Sequence, residues 1–180
     1  MTITYRIGKS LYVNITNRCP NRCAFCIRNY DNGVGSADSL WLEHEPSADE
    51  ILRDILKNDL LAFDELVFCG YGEPLERLDD VVFLCKKIRE QSDIRIRINT
   101  NGQADLIHQK ETAPALKGLV DIISISLNAP DAESYQRLCR SDFGENAFDA
   151  VLKFTADCKK HIPRVIVSVV DVIPPDEVEK

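Results

Sequence analysis

Residues 11–28 read LYVNITNRCPNRCAFCIR, and the fold follows from how this stretch begins. Leu11–Thr16 (LYVNIT) places apolar or β-branched residues on both faces, the pattern of a strand covered on both sides in a parallel sheet. Four later stretches repeat that pattern: Glu65–Gly70, Ile94–Thr100, Asp121–Leu127 and Val165–Asp171. Helical periodicity fills the gaps between them. Ser47-Ala48-Asp49-Glu50 after Pro46 is a capping box that opens a helix with Ile51, Leu52, Ile55, Leu56 and Leu60 on one stripe. Further helices are predicted over Leu78–Glu90, over Ala104–Lys117 with a break near Pro114, after Pro130 through Cys139, and after Gly144 through Cys158. Strands alternating with helices make a βαβ series with right-handed crossovers.

The chain has 180 residues, enough for one domain with a real core, and it is read as a single domain over 1–180. A βαβ unit needs roughly 30 residues, so an eight-stranded barrel cannot close. The pattern leaves an open doubly wound sheet and a partial barrel as the choices. Val165–Asp171 is nearly all aliphatic, and an edge that apolar invites pairing. A missing sixth strand, a truncated C-terminus, an edge-strand partner or an oligomer is expected there. Arg28–Pro46 exceeds ordinary loop length and reads as a functional lid or a flexible segment.

At 44% hydrophobic and 28% charged the chain is not disordered, and a net charge of −7 argues against nucleic acid as its main partner. No apolar run reaches the roughly 18 residues of a membrane span, and MTITYRIGKS is no signal peptide, so a cytoplasmic location is expected. Seven cysteines, an odd number in a reducing compartment, do not make a disulfide framework.

Three of them, Cys19, Cys23 and Cys26, form a C-x3-C-x2-C run just after the first strand. Buried thiols are one reading, but a polar, arginine-rich loop makes poor core. Structural zinc is a second, and it lacks a fourth ligand nearer than His44. An iron–sulfur cluster with one iron left open is the third, and it is preferred: three thiolates leave a vacant position, as catalytic sites require. Arg18, Arg22 and Arg28 would favour thiolate over thiol. Cys69, Cys85, Cys139 and Cys158 show no ligand spacing and read as core, and the three histidines have no partners to give them a role.

With this loop in place the chain resembles the radical S-adenosylmethionine (radical SAM) superfamily, whose signature is that cysteine run after the first strand, with an aromatic residue, here Phe25, before the last cysteine. Gly70-Tyr71-Gly72-Glu73-Pro74 looks like the family's Gly-Gly-Glu-Pro turn, with Tyr71 in place of the first glycine. Asn99-Thr100-Asn101-Gly102 and Ser126-Leu127-Asn128 follow the third and fourth strands as in the family. The stretches NITNRCPNRCAFCIR, LWLEHEP and SLNAPDAESYQRLCR are most similar to the TatD-associated radical SAM proteins.

The resemblance implies an α/β partial (β/α) barrel and an oxidoreductase-type enzyme. Cys19, Cys23 and Cys26 would hold a [4Fe-4S] cluster. Backbone groups of Gly70, Tyr71, Gly72 and Glu73 would meet the methionine amino group of S-adenosyl-L-methionine, Ser126 and Asn128 its ribose, and Phe25 its adenine, with Asn99 at the same rim. A reduced flavodoxin or ferredoxin would supply the electron that yields a 5′-deoxyadenosyl radical, which takes hydrogen from an unknown substrate. The competing class is a non-catalytic zinc or iron–sulfur scaffold that recruits a partner. Read without the resemblance, GYGEP is equally an ordinary tight turn, Asn99 and Asn101 are equally turn formers, and Arg137 and Arg140 are carboxylate clamps or solvated helix arginines.

Overall fold

A computed structural model describes residues 1–30 and 33–170. Five of its strands are those predicted, with some ends shifted: β2 (Ser10–Val13), β3 (Glu65–Phe68), β4 (Arg95–Thr100), β5 (Ile122–Ser126) and β6 (Arg164–Ser168). Asp171, at the end of the last predicted strand, lies outside the described residues. The sequence reading missed β1 (Thr4–Ile7), which pairs antiparallel with β2 across a tight turn at Gly8 (φ +57°). TYRI is too short and too mixed to carry a periodic signal, and the turn glycine is the one clue it leaves.

The sheet order is β1-β2-β3-β4-β5-β6, with every pair after the first parallel. Each strand lies beside its predecessor and the order never reverses. A doubly wound sheet reverses at a switch point and so places helices on both faces. Same-handed crossovers without reversal place them all on one face, as in a barrel. The choice left open by periodicity therefore falls to the partial barrel; among the described residues β1 and β6 do not pair, and the sheet stays open.

Alternation along the strands separates two faces. Leu11, Val13, Leu66, Phe68, Ile96, Ile98, Ile123 and Ile125 point to the helix side and share one core with Ile51 and Ile55 of α1 (Ala48–Leu56), Leu84 and Ile88 of α2 (Leu78–Arg89), Tyr135 of α4 (Ala132–Cys139), and Val151 and Phe154 of α5 (Asn146–His161). The region predicted to break near Pro114 is α3 (Ala104–His108) followed by a 3-10 turn over Ala113–Leu116. The predicted capping box is present at Ser47: its hydroxyl accepts from the Glu50 amide while the Glu50 carboxylate accepts from the Ser47 amide. The opposite, concave face carries Tyr12, Arg97, Asn99 and Ser124 beside Val67, Ile122 and Ile166, a mixed lining more polar than the branched aliphatics that fill a closed barrel.

The loop from Arg28 to Pro46, read as a lid or a flexible segment, is tethered to the sheet side at several points of its described part beyond residue 33. Asn14 Nδ2 donates to Leu40 O (2.7 Å), Asn17 exchanges bonds with the Leu42 backbone (2.8 and 3.1 Å), and Arg77 donates to Pro46 O (2.7 Å). Leu40 is fully buried in a small cluster with Tyr5, Ala37 and Tyr71. Loop length alone could not reveal that strapping, because its partners are single asparagines and an arginine distant in sequence.

Candidate functional site

The cysteine loop leaves the carboxyl end of β2, the end at which parallel α/β folds bind ligands. Two buried anchors hold it. The first is a short antiparallel seam against the C-terminus of α4: Arg22 N donates to Cys139 O (3.0 Å), Ala24 N donates to Leu138 O (3.0 Å), and Asn21 bridges to Ser141. The second is Gln103, fully buried after β4. Its Nε2 donates to Asn21 Oδ1 (2.9 Å) and to the Tyr135 hydroxyl (2.8 Å), and its Oε1 accepts from Ser141 Oγ (2.7 Å). A buried polar hub with every group partnered fixes one geometry, because each broken bond would strand a desolvated polar atom. Sequence reasoning missed Gln103; an isolated glutamine after a turn carries no signal of its own.

Turns after β3 and β4 flank the loop. Glycine is required at Gly70, where a Cβ would strike the Asn14 side chain, and at Gly72, where it would strike the carbonyls of Thr16 and Arg18. The tight approach that glycine permits is therefore to the segment entering the cysteine loop. Glu73 N donates to Arg18 O (2.8 Å), closing that contact. The buried Glu73 carboxylate accepts from Leu75 N (3.0 Å), Thr100 Oγ1 (2.7 Å) and Asn101 N (2.7 Å), so it ties the two turns together. Burial pushes this carboxyl up to about 7 against the pull of those donors.

Tyr71 turns its side chain away from the rim into the cluster with Leu40, and Trp41 packs edge-on against it at 5.2 Å. The tyrosine in the glycine position is accommodated by the strapped loop, and only its main chain faces the turn. Phe25 is half-buried against the main core. Ser126 is half-buried at the end of β5. Asn99 is held beside Cys69 and keeps a buried, unpartnered Oδ1. Asn128 is buried in a left-handed conformation (φ +63°), with Nδ2 on Cys139 Sγ (3.7 Å) and Oδ1 unpartnered. Asn101 uses its Oδ1 to accept from Gln103 N (2.9 Å), the turn role foreseen for it, and points Nδ2 at Cys19 Sγ (3.9 Å).

All seven cysteines are free thiols. Cys19, Cys23 and Cys26 are half-exposed, whereas Cys85, Cys139 and Cys158 are buried as foreseen. Cys139 has a role beyond filling the core, since the Cys23 thiol hydrogen-bonds to it. The expected arginine activation comes from Arg28 alone, and larger effects outweigh it. Burial, reinforced by Glu73, pushes the Cys19 thiol up to about 12, and the Cys139 contact followed by burial raises Cys23. Arg18 is committed to Glu45 and Glu76, and Arg22 to Asp142, which leaves Arg28 to act on both thiols.

Three soft donors on one loop suit iron–sulfur chemistry. A tetrahedral zinc ion, with Zn–S near 2.3 Å, would need its sulfurs within about 4 Å of one another. Among the described residues no group of three or more His, Cys, Asp or Glu side chains is arranged to hold a single metal ion. In a four-iron cluster each cysteine binds its own iron, so the three thiols need not converge on one ion. The oxygens of Asn99 and Asn128 at the same rim are buried without a hydrogen-bond partner, an unmet demand that a polar group could satisfy.

A family model described as the Radical SAM superfamily matches residues 13–180. A GTP 3′,8-cyclase from Mycobacterium sp. (strain KMS) is 33% identical over 144 residues, covering 76% of this chain and 37% of the relative. The GTP 3′,8-cyclase of Corynebacterium glutamicum (strain ATCC 13032) is 34% identical over 145 residues, covering 76% and 35%. The chain thus spans about a third of the length of these relatives. Among solved structures, a radical SAM methyltransferase from Sphaerobacter thermophilus superposes with a TM-score of 0.62 at 18% identity, covering 98% of this chain and 53% of that one. That likeness bears on the fold.

Proposed function

The chain belongs to the radical SAM superfamily, and from that premise we propose that it is an enzyme whose cofactors, a [4Fe-4S] cluster and S-adenosyl-L-methionine, meet at the rim built by Cys19, Cys23, Cys26 and the Gly70–Glu73 turn. The observation that carries this reading is the placement of three free, half-exposed thiols on one anchored loop, in direct contact with that turn. When bound, these cofactors supply a reductive cleavage that gives methionine and a 5′-deoxyadenosyl radical able to take hydrogen from a substrate.

The chain's own residues would hold and orient. Cys19, Cys23 and Cys26 would each bind one iron, with Cys23 turning from Cys139 to do so. Main-chain groups of Gly70, Tyr71 and Gly72 would meet the methionine end. Glu73, with its carboxylate committed to three donors, would fix the spacing of the turns. Asn99, Ser126 and Asn128 would offer polar atoms along the rim, and the half-buried Phe25 an apolar edge for the adenine. A reduced flavodoxin or ferredoxin would be the electron donor.

Because the relatives are matched over about a third of their length, the cofactor chemistry is carried over and their substrate is not. A place among the TatD-associated members rests on residues 14–28, 40–46 and 126–140 alone.

Anaerobic reconstitution followed by iron and sulfide counting, with electron paramagnetic resonance of the reduced protein, tests the proposal. Four irons per chain and a signal that changes on adding S-adenosyl-L-methionine are expected, both lost in a Cys19→Ala, Cys23→Ala, Cys26→Ala protein. A zinc-loaded protein that takes up no iron would overturn it.

A further inference from the structure

Two openings flank the cysteine loop, and they differ in charge. One, lined by Asn17, Arg18, Cys19, Glu76, Asp142 and Phe143 among others, mixes acids with its arginine. The other is a cavity of about 360 Å³ lined by Arg22, Cys23, Ala24, Arg28, Asn29 and Arg140, with three guanidinium groups and no acid in its wall. On a chain of net charge −7 this concentration of arginine runs against the whole.

Two of the arginines have partners for their side chains, and the third is set by its backbone. Arg22 pairs with Asp142 at the exposed rim, and Arg28 donates to Asn21 O (2.9 Å), a backbone atom of the cysteine loop itself. Arg140 is exposed and caps α4 from a left-handed conformation (φ +49°), which few non-glycine residues adopt. A structural role at the helix end accounts for a cation there, but not for three arginines around one cavity or for the thiol in its wall.

We propose that this arginine-ringed face is the docking surface of an acidic one-electron carrier protein, whose carboxylates engage Arg22, Arg28 and Arg140 over Cys23. The inference rests on the reading of Cys19, Cys23 and Cys26 as cluster ligands. Cys23 lines the cavity, so a carrier seated there stands against a ligand of the group it must reduce. The carrier loses one electron and the cluster gains it. Guanidinium forks match carboxylates two bonds at a time, and a patch opposite in sign to the partner raises the encounter rate in a salt-dependent way.

The test uses the reconstituted chain and stopped-flow reduction by a flavodoxin hydroquinone, with photoreduced deazaflavin as the small reductant. The Arg22→Glu/Arg140→Glu double variant should load four irons and be reduced by deazaflavin at the wild-type rate, yet at least tenfold more slowly by flavodoxin. Arg140→Lys, which keeps the charge, should stay within threefold of wild type, and raising the salt should slow wild type far more than the double variant. A loaded double variant reduced by flavodoxin at the wild-type rate overturns the docking face alone. The same result accompanied by loss of pyrophosphate binding reassigns the arginines to a phosphate-bearing small molecule and equally overturns it. A wild-type chain that takes up no cluster overturns the functional reading and this inference together.

Discussion

Glu73→Gln separates what the buried carboxylate contributes as an acceptor from what it costs as a charge. The side chain is 4% exposed and accepts from Leu75 N, Thr100 Oγ1 and Asn101 N. Its carboxyl is raised from 4.5 to about 7, with burial the largest cause. An acid raised on folding binds its proton more tightly in the folded chain. Its stabilising contribution is complete below about pH 4.5 and is lost as the pH climbs towards 7. At 1.36 kcal/mol per pH unit, that window corresponds to about 3 kcal/mol. Glutamine does not titrate, so the variant should lack this slope. It also sets an NH2 group against one of the three donors, which costs about 1–3 kcal/mol at every pH. Urea unfolding of both proteins at pH 4.5, 5.5, 7 and 8 should show a variant clearly weaker than wild type at the acid end and nearly level with it, or stronger, at pH 8. A stability gap that stays constant across the series would refute the assignment of a strained, desolvated carboxyl at this position.

Gln103→Ala leaves Asn21 Oδ1 and the Ser141 hydroxyl without their buried partner, and should destabilise the chain by about 3 kcal/mol in urea unfolding. The same variant should bind fewer irons per chain after reconstitution, because the loop loses its anchor; unchanged iron content would separate loop geometry from cluster binding. Tyr71→Ala removes the ring packed between Leu40 and Trp41 and should cost about 3 kcal/mol. Trp41 is the chain's single tryptophan, so a red-shifted emission should report the loosened strap directly, and an unshifted spectrum would count against the packing described.

The parts of the fold carried by repeated apolar patterns were legible. Five strands stand where two-sided hydrophobic runs placed them, and the Ser47 capping box starts α1 as its spacing requires. β1 was not legible, since four residues of mixed character have no period to detect. The site was legible where chemistry is local, at the cysteine run and the turn, and illegible where it depends on long-range pairing. Nothing in the sequence connects Gln103 to Asn21 or Cys139 to Cys23; a buried network is made by three-dimensional proximity, and its members look like ordinary polar residues one at a time. Tyr71 was read as a departure within a ligand turn, and its reason lies in Leu40, some thirty positions earlier in a loop that length suggested was free.

The seam between residues 21–24 and 138–141 joins segments separated by well over a hundred positions. During synthesis at about 5–20 residues per second, the cysteine loop therefore emerges many seconds before the helix terminus that immobilises it. For that interval its thiols belong to an unfinished chain, open to oxidants and to adventitious metals. The order of translation thus makes the loop appear well before it is secured, so iron delivered before residue 141 has emerged would meet an unfixed ligand set.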